Sequence, residues 1–131
     1  MKLNSKVNNI NISDNQLFEK LNFIENFKKI MPENISKFEI IDTVTLIFSL
    51  KGMPAIKLVI GEKTTPSSIV LNSSESKISF SLTAHIKKID YNNCSFELEF
   101  NGDLNPMIQM MVKNPLQSFI DDLSINTSKL V

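Results

Sequence analysis

Residues 105–120 read NPMIQMMVKNPLQSFI. Asn105 suits an N-cap, and Pro106 suits the first helical position, where a missing N–H costs nothing. Ile108, Met111, Val112, Pro115, Leu116, Phe119, Ile120 and Leu123 then fall on one stripe, which predicts a long C-terminal helix running towards Lys129. Pro115 has no amide hydrogen and crowds the carbonyl four residues back, so a kink is expected between Met111 and Pro115. Three of the six methionines lie within residues 107–111. Met107 and Met111 share one side of a 3.6-residue helix, and Met110 lies off it. Whether this stripe plugs a core or covers a pocket depends on its packing partner.

That partner is read from the two segments before it. In ISFSLTAHIKKI (78–89), Phe80, Leu82, Ala84 and Ile86 alternate with Ser, Thr, His and Lys. In CSFELEFNGDL (94–104), Cys94, Phe96, Leu98 and Phe100 alternate with Ser95, Glu97 and Glu99. Period-two burial with one wet face means antiparallel strands covered once. Apolar faces must match, so even positions pair with even ones across DYNN. A three-residue loop, Tyr91 to Asn93, satisfies this and sets Lys87 opposite Glu97 and His85 opposite Glu99.

The earlier segments follow the same logic. KFEIID places Phe38 and Ile40 on one face, and TVTLIFSLKG places Val44, Leu46, Phe48 and Leu50. KGMP (51–54) is a turn, AIKLVIGEKT buries Ile56, Leu58 and Ile60, TPSS (65–68) is a second turn, and SIVLNS adds Ile69 and Leu71. Residues 2–12 alternate but slip phase at Asn8-Asn9, which predicts an edge strand with a bulge there. Ser13 with Gln16 forms a capping box, so a helix starts at Asp14. A second short helix from Ile24 to Ile30 stops at Pro32, and Phe18, Leu21, Phe27 and Ile30 point inward. The expected architecture is α+β: a seven-stranded curved antiparallel sheet around the long helix, with two short helices after the first strand. Residues 1–131 form one domain in this reading.

This order resembles the SRPBCC superfamily, also called START-like or helix-grip proteins, and in particular its short bacterial polyketide cyclase-like and lipid-transport-like members. The carrying residues are the opening strand with SDNQLFEKLNFIENFKKIMP (13–32), KGMPAIKLVIGEKTTP (51–66) and NGDLNPMIQMMVKNPLQSFI (101–120). The resemblance implies a cavity between the concave sheet face and the last helix. It carries over no catalytic residue, because no catalytic motif of the family is matched.

Composition excludes other classes. Fourteen lysines balance fourteen acids and there is no arginine, so the chain lacks the cationic face and guanidinium forks that nucleic-acid binding uses. One cysteine and one histidine cannot build a zinc site, and Cys94 cannot form an internal disulfide. The carboxylates Glu62, Asp103, Asp121 and Asp122 fit no metal-loop spacing, so no metal and no cofactor is expected. MKLNSKVNNI holds no apolar run of signal length, and no window approaches the roughly 20 apolar residues of a span. A cytoplasmic location without stable membrane insertion, as monomer or homodimer, is the expectation.

The candidate site is a cavity wall. From the sheet it takes Phe48, Leu58, Phe80, Leu82, Phe96, Leu98 and Phe100; from the helix it takes Met107, Met111, Pro115 and Phe119. Such a wall suits an apolar small molecule or lipid, since methionine adapts to varied apolar shapes. The competing readings are a filled core with a protein partner docking outside, and a cyclase-like or hydrolase-like enzyme. The enzyme is disfavoured because the inward positions of the last hairpin offer no general base, and parity puts His85 on the outer face.

Overall fold

The computed structural model describes residues 1–33, 35–74 and 79–131. The chain opens with β1 (Lys2–Asn4) and β2 (Asn8–Ile10), followed by α1 (Asp14–Leu21) and α2 (Glu25–Ile30). Six longer strands come next: β3 (Ile35–Ile40), β4 (Thr45–Leu50), β5 (Ile56–Thr64), β6 (Ser68–Ser74), β7 (Phe80–Asp90) and β8 (Asn93–Gly102). The helix α3 (Pro106–Asn126) and a 3₁₀ turn at Thr127–Leu130 end it. The order across the sheet is β1-β8-β7-β6-β5-β4-β3, with β2 also paired to β8, so β1 and β2 are two pieces of one edge strand. The architecture is the predicted one, a curled seven-position antiparallel sheet gripping the C-terminal helix. The predicted strand residue Ile78 lies outside the described residues.

Local chemistry sets these elements as expected. Gln16 N donates to Ser13 Oγ at 3.2 Å and Ser13 N donates to Gln16 Oε1 at 3.2 Å, closing the capping box of α1. At α3, Ile108 N donates to Asn105 Oδ1 at 2.9 Å. Phe18, Leu21, Phe27 and Ile30 are all buried. Along β7 and β8 every even residue from Phe80 to Ile86 and from Cys94 to Phe100 is buried, so these strands present one apolar face to the interior. Gly52 holds φ +81 in the β4–β5 turn, a backbone region that suits glycine, and Met53 N closes the turn on Leu50 O at 2.9 Å.

Three expectations need correction. The edge strand breaks at residues 5–7 and not at Asn8-Asn9, because Ser5 turns its polar groups onto β8. Ser5 N donates to Leu98 O and Leu98 N donates to Ser5 Oγ, both at 2.8 Å. The β7–β8 register is also shifted by two: His85 faces Glu97 and Lys87 faces Ser95. Here the turn is shorter, since a bulge between Lys88 and Asp90 absorbs one residue and the Asp90 carboxylate accepts from Asn92 N at 2.9 Å. Finally, Val44 precedes β4 and is exposed, beyond the covered part of its face.

Candidate functional site

The two halves of α3 sit in different surroundings. After Pro115, Leu116, Phe119, Ile120, Leu123 and Ser124 are buried; before it, only Val112 is. Phe119 stacks on Phe48 with ring centroids 4.8 Å apart. The same half is tied to the broken edge strand. Gln117 Nε2 donates to Asn4 O at 2.9 Å, Lys6 N donates to Asp121 Oδ1 at 2.8 Å, and Ser124 Oγ donates to Lys6 O at 2.7 Å. Asn8 Nδ2 in turn donates to Ser124 O at 2.9 Å. The strand break at residues 5–7 therefore frees backbone groups that the helix then satisfies.

The first half has no such ties. Among the described residues, its side-chain hydrogen bonding is local, with Gln109 Nε2 donating to Leu104 O at 2.7 Å. Met107, Met110 and Met111 are 73%, 86% and 71% exposed. Met111 thus leaves the inward stripe on which the sequence places it. α3 stays helical through Pro115, which is itself exposed.

Among the described residues, the interior between sheet and helix is nearly solid. A void of about 20 Å³, room for one water-sized sphere, lies among side chains that include Leu58, Leu82, Phe96, Leu98 and Phe119. Phe48, Phe80 and Phe100 are buried but do not border it; Phe80 and Phe100 stack on each other with centroids 4.9 Å apart. The open apolar space lies elsewhere. A groove of about 400 Å³ runs between the β4–β5 turn (Lys51, Gly52, Met53, Pro54) and the first half of α3 (Ile108, Met111, Val112, Pro115). Depressions of 330 and 370 Å³ occur near Pro32 and near Gln16, but charged and amide side chains dominate their walls. Among these spaces, all lined by described residues, the groove beside Met111 combines the size and the apolar wall of a small-molecule site.

Of the sequence-predicted wall, then, the structure gathers Leu58, Leu82, Phe96, Leu98 and Phe119 around the small void and puts Met111 and Pro115 on the groove. Met107 borders neither space. Sequence reasoning missed Lys51, Met53 and Pro54. Their signal was present in KGMP, a turn that carries an apolar residue where turns are usually polar.

The polar candidates stand apart from both spaces. His85 Nε2 lies 3.2 Å from Glu99 Oε1 on the outer face, and Lys2 Nζ lies 3.6 Å from Glu99 Oε2. Cys94 is fully buried; burial, and secondarily the charge of Asp14, pushes its thiol above the ordinary value of 9.0. Glu62 is exposed on β5 and borders neither space. Among the described residues no group of three His, Cys, Asp or Glu side chains is placed to hold a metal ion. Among them, too, no helix is long and apolar enough to cross a membrane.

No protein-family model matches this chain, and no curated protein does. Solved structures match over nearly its whole length. The START superfamily protein from Mycobacterium smegmatis has a TM-score of 0.70 at 10% identity, covering 99% of each chain. Norcoclaurine synthase from Thalictrum flavum, in complex with dopamine and hydroxybenzaldehyde, has a TM-score of 0.70 at 13% identity, covering 95% of this chain and 84% of that one. A conserved protein from Geobacillus kaustophilus has a TM-score of 0.69 at 13% identity, covering 98% and 93%. The fold is therefore START-like, as the sequence resemblance implies.

Proposed function

We propose that this protein binds an apolar or amphipathic small molecule between its sheet and C-terminal helix, at the open end of the grip. The observation that carries the reading is the asymmetry of α3. Its second half presents the buried residues and is hydrogen-bonded to Asn4 of β1 and Asn8 of β2, while its first half overhangs an apolar groove with Met111 and Pro115 on the wall. A groove of about 400 Å³ is within the range of small-molecule sites. The fold relative that holds dopamine and hydroxybenzaldehyde is a small-molecule binder of the same architecture. Selectivity in such a groove comes from shape and apolar area, at roughly 25 cal/mol per Å² removed from water. Catalysis is not part of the reading, since among the described residues no acid, base or nucleophile borders the groove besides Lys51.

Native mass spectrometry of the protein purified from its own host, followed by solvent extraction, tests this directly. The expected result is a retained apolar molecule of a few hundred daltons, and weakening of its binding by roughly tenfold or more in Met111→Glu, which puts a charge on the wall. Protein that carries nothing and shows no saturable binding of medium-chain amphiphiles overturns it. A protein-docking role has one observation in its favour, the exposure of Met107 and Met110 away from the groove. That role predicts a copurifying protein lost in Met110→Glu, with small-molecule binding absent.

A further inference from the structure

The groove has a charge pattern that the apolar reading alone does not use. Lys51 is the one charged residue on its wall among the described residues. Lys51 is exposed and, among the described residues, forms no ion pair. The two segments that include the wall residues carry lysines and no acid in a chain of zero net charge, and of these lysines Lys51 borders the groove. Between Asp42 and Glu62 the sequence carries Lys51 and Lys57 and no acid; between Asp103 and Asp121 it carries Lys113 and no acid. The remaining wall residues, Met53, Pro54, Ile108, Met111, Val112 and Pro115, offer no side-chain hydrogen-bond donor.

A ligand fitting this surface has two parts. Its body is an unbranched or flexible hydrocarbon that lies along Met53, Ile108 and Met111. Its head is a single negative charge, because the one charged partner at the rim is an ammonium with three donors. We infer that the groove takes an anionic amphiphile of the fatty-acid type, with its carboxylate at Lys51 and its chain against the first half of α3. This rests on the proposed small-molecule function and adds the head group to it. A cationic or zwitterionic head places a positive charge beside Lys51, and a neutral head leaves the lysine without a partner. Because Lys51 is exposed, the charge contributes a preference and not the bulk of the affinity. The hydrocarbon supplies that bulk.

The test compares decanoate, 1-decanol and decyltrimethylammonium by isothermal titration calorimetry at neutral pH, each below its micelle-forming concentration. Decanoate should bind about two- to fivefold more tightly than decanol, the range of an exposed ion pair. The cationic amphiphile should bind more weakly than either. The decanoate-to-decanol ratio should fall to about one in Lys51→Gln, and also at ~1 M salt, where screening shortens to about 3 Å. Lys51→Glu should reverse the order of decanoate and decyltrimethylammonium. Circular dichroism verifies that each variant is folded.

Equal affinities for decanoate and decanol in the unaltered protein overturn the head-group assignment and leave the binding function standing. A preference for decanoate that survives Lys51→Gln also overturns it, since the carboxylate then sits elsewhere. Failure of all three amphiphiles to bind overturns the head-group assignment, and where the protein also retains no molecule from its host it overturns the binding function as well. Co-sedimentation with vesicles of phosphatidylglycerol, without binding of monomeric decanoate, assigns the surface to a membrane and rejects the groove as a site for one molecule.

Discussion

Replacing Phe119 with alanine probes the packing that holds α3 against the sheet. Phe119 is 2% exposed and stacks on Phe48 at 4.8 Å with planes 10° apart. Truncating a buried phenylalanine costs about 3–5 kcal/mol, of which the lost ring pairing accounts for roughly 0.5–1.5. Its space would join the existing void of about 20 Å³, which Phe119 already borders. With a urea slope of about 2 kcal/mol per M, the unfolding midpoint should fall by about 2 M. A domain with roughly 5–15 kcal/mol of stability keeps a folded population after such a loss. The enlarged space is walled by Leu58, Leu82, Phe96 and Leu98, so it should stay dry and accept benzene. Benzene should therefore raise the melting temperature of Phe119→Ala and leave the parent unchanged. The milder Phe119→Leu, which keeps most of the volume, should lose about 1–2 kcal/mol and gives a reading if the alanine variant does not fold. Met110→Ala, at 86% exposure, should stay within about 0.5 kcal/mol of the parent. A midpoint shift below about 0.5 M for Phe119→Ala, with no benzene effect, would refute the inward helix.

The buried hydroxyl of Ser124 donates to Lys6 O at 2.7 Å and lies 3.4 Å from Phe96 O. Ser124→Ala should cost about 1–2 kcal/mol and speed amide hydrogen exchange at residues 6–8, as followed by NMR. Cys94 should resist thiol reagents in the folded protein and react once urea unfolds it. Its raised pKa means that the folded state holds the proton more tightly, so this contribution is full below pH 9.0 and is lost as pH rises above it. Asp90 behaves oppositely. Its carboxylate accepts from Asn92 N, and this lowers its pKa from 3.8, so its contribution is present above that pH and is lost as pH falls through the folded value. The Asn92 amide shift should titrate with a midpoint below 3.8, and a midpoint at or above that value would show the turn bond to be absent in solution.

The fold was legible wherever burial imposed a period. Phe80 to Ile86 and Cys94 to Phe100 alternate because one face of the sheet is covered and the other is wet. Register was not legible to the same degree. Parity fixes pairing only to a multiple of two, and the choice between Glu97 and Glu99 as the residue opposite His85 in the ladder lay with a bulge beside Asp90 that has no apolar signature; the His85 side chain reaches diagonally to Glu99 all the same. The broken edge strand was similar: the phase slip was visible, but its position depended on Ser5 satisfying Leu98 across the ladder, a contact distant in sequence.

The site was less legible than the fold, and the reason lies in α3. A helical stripe specifies an angle around the axis; it says nothing about how far along that axis the partner extends. Met111 and Leu123 share the stripe, yet one is exposed and the other buried, because the packed part of the helix begins near Val112 and is secured only after Pro115. The overhang becomes a groove only when the β4–β5 turn is brought beside it, and that turn is far away in the chain. This division predicts that stability and binding separate along one helix. Substitutions at Phe119, Ile120 or Ser124 should shift the unfolding midpoint whether or not ligand is present. Met111→Glu or Ile108→Glu should leave the midpoint of the ligand-free protein within about 1 kcal/mol and act on binding alone, since neither side chain is fully buried. A variant on the first half that unfolds the protein as readily as Phe119→Ala would mean that the helix is one packed unit and that the groove beside Met111 is not an independent site.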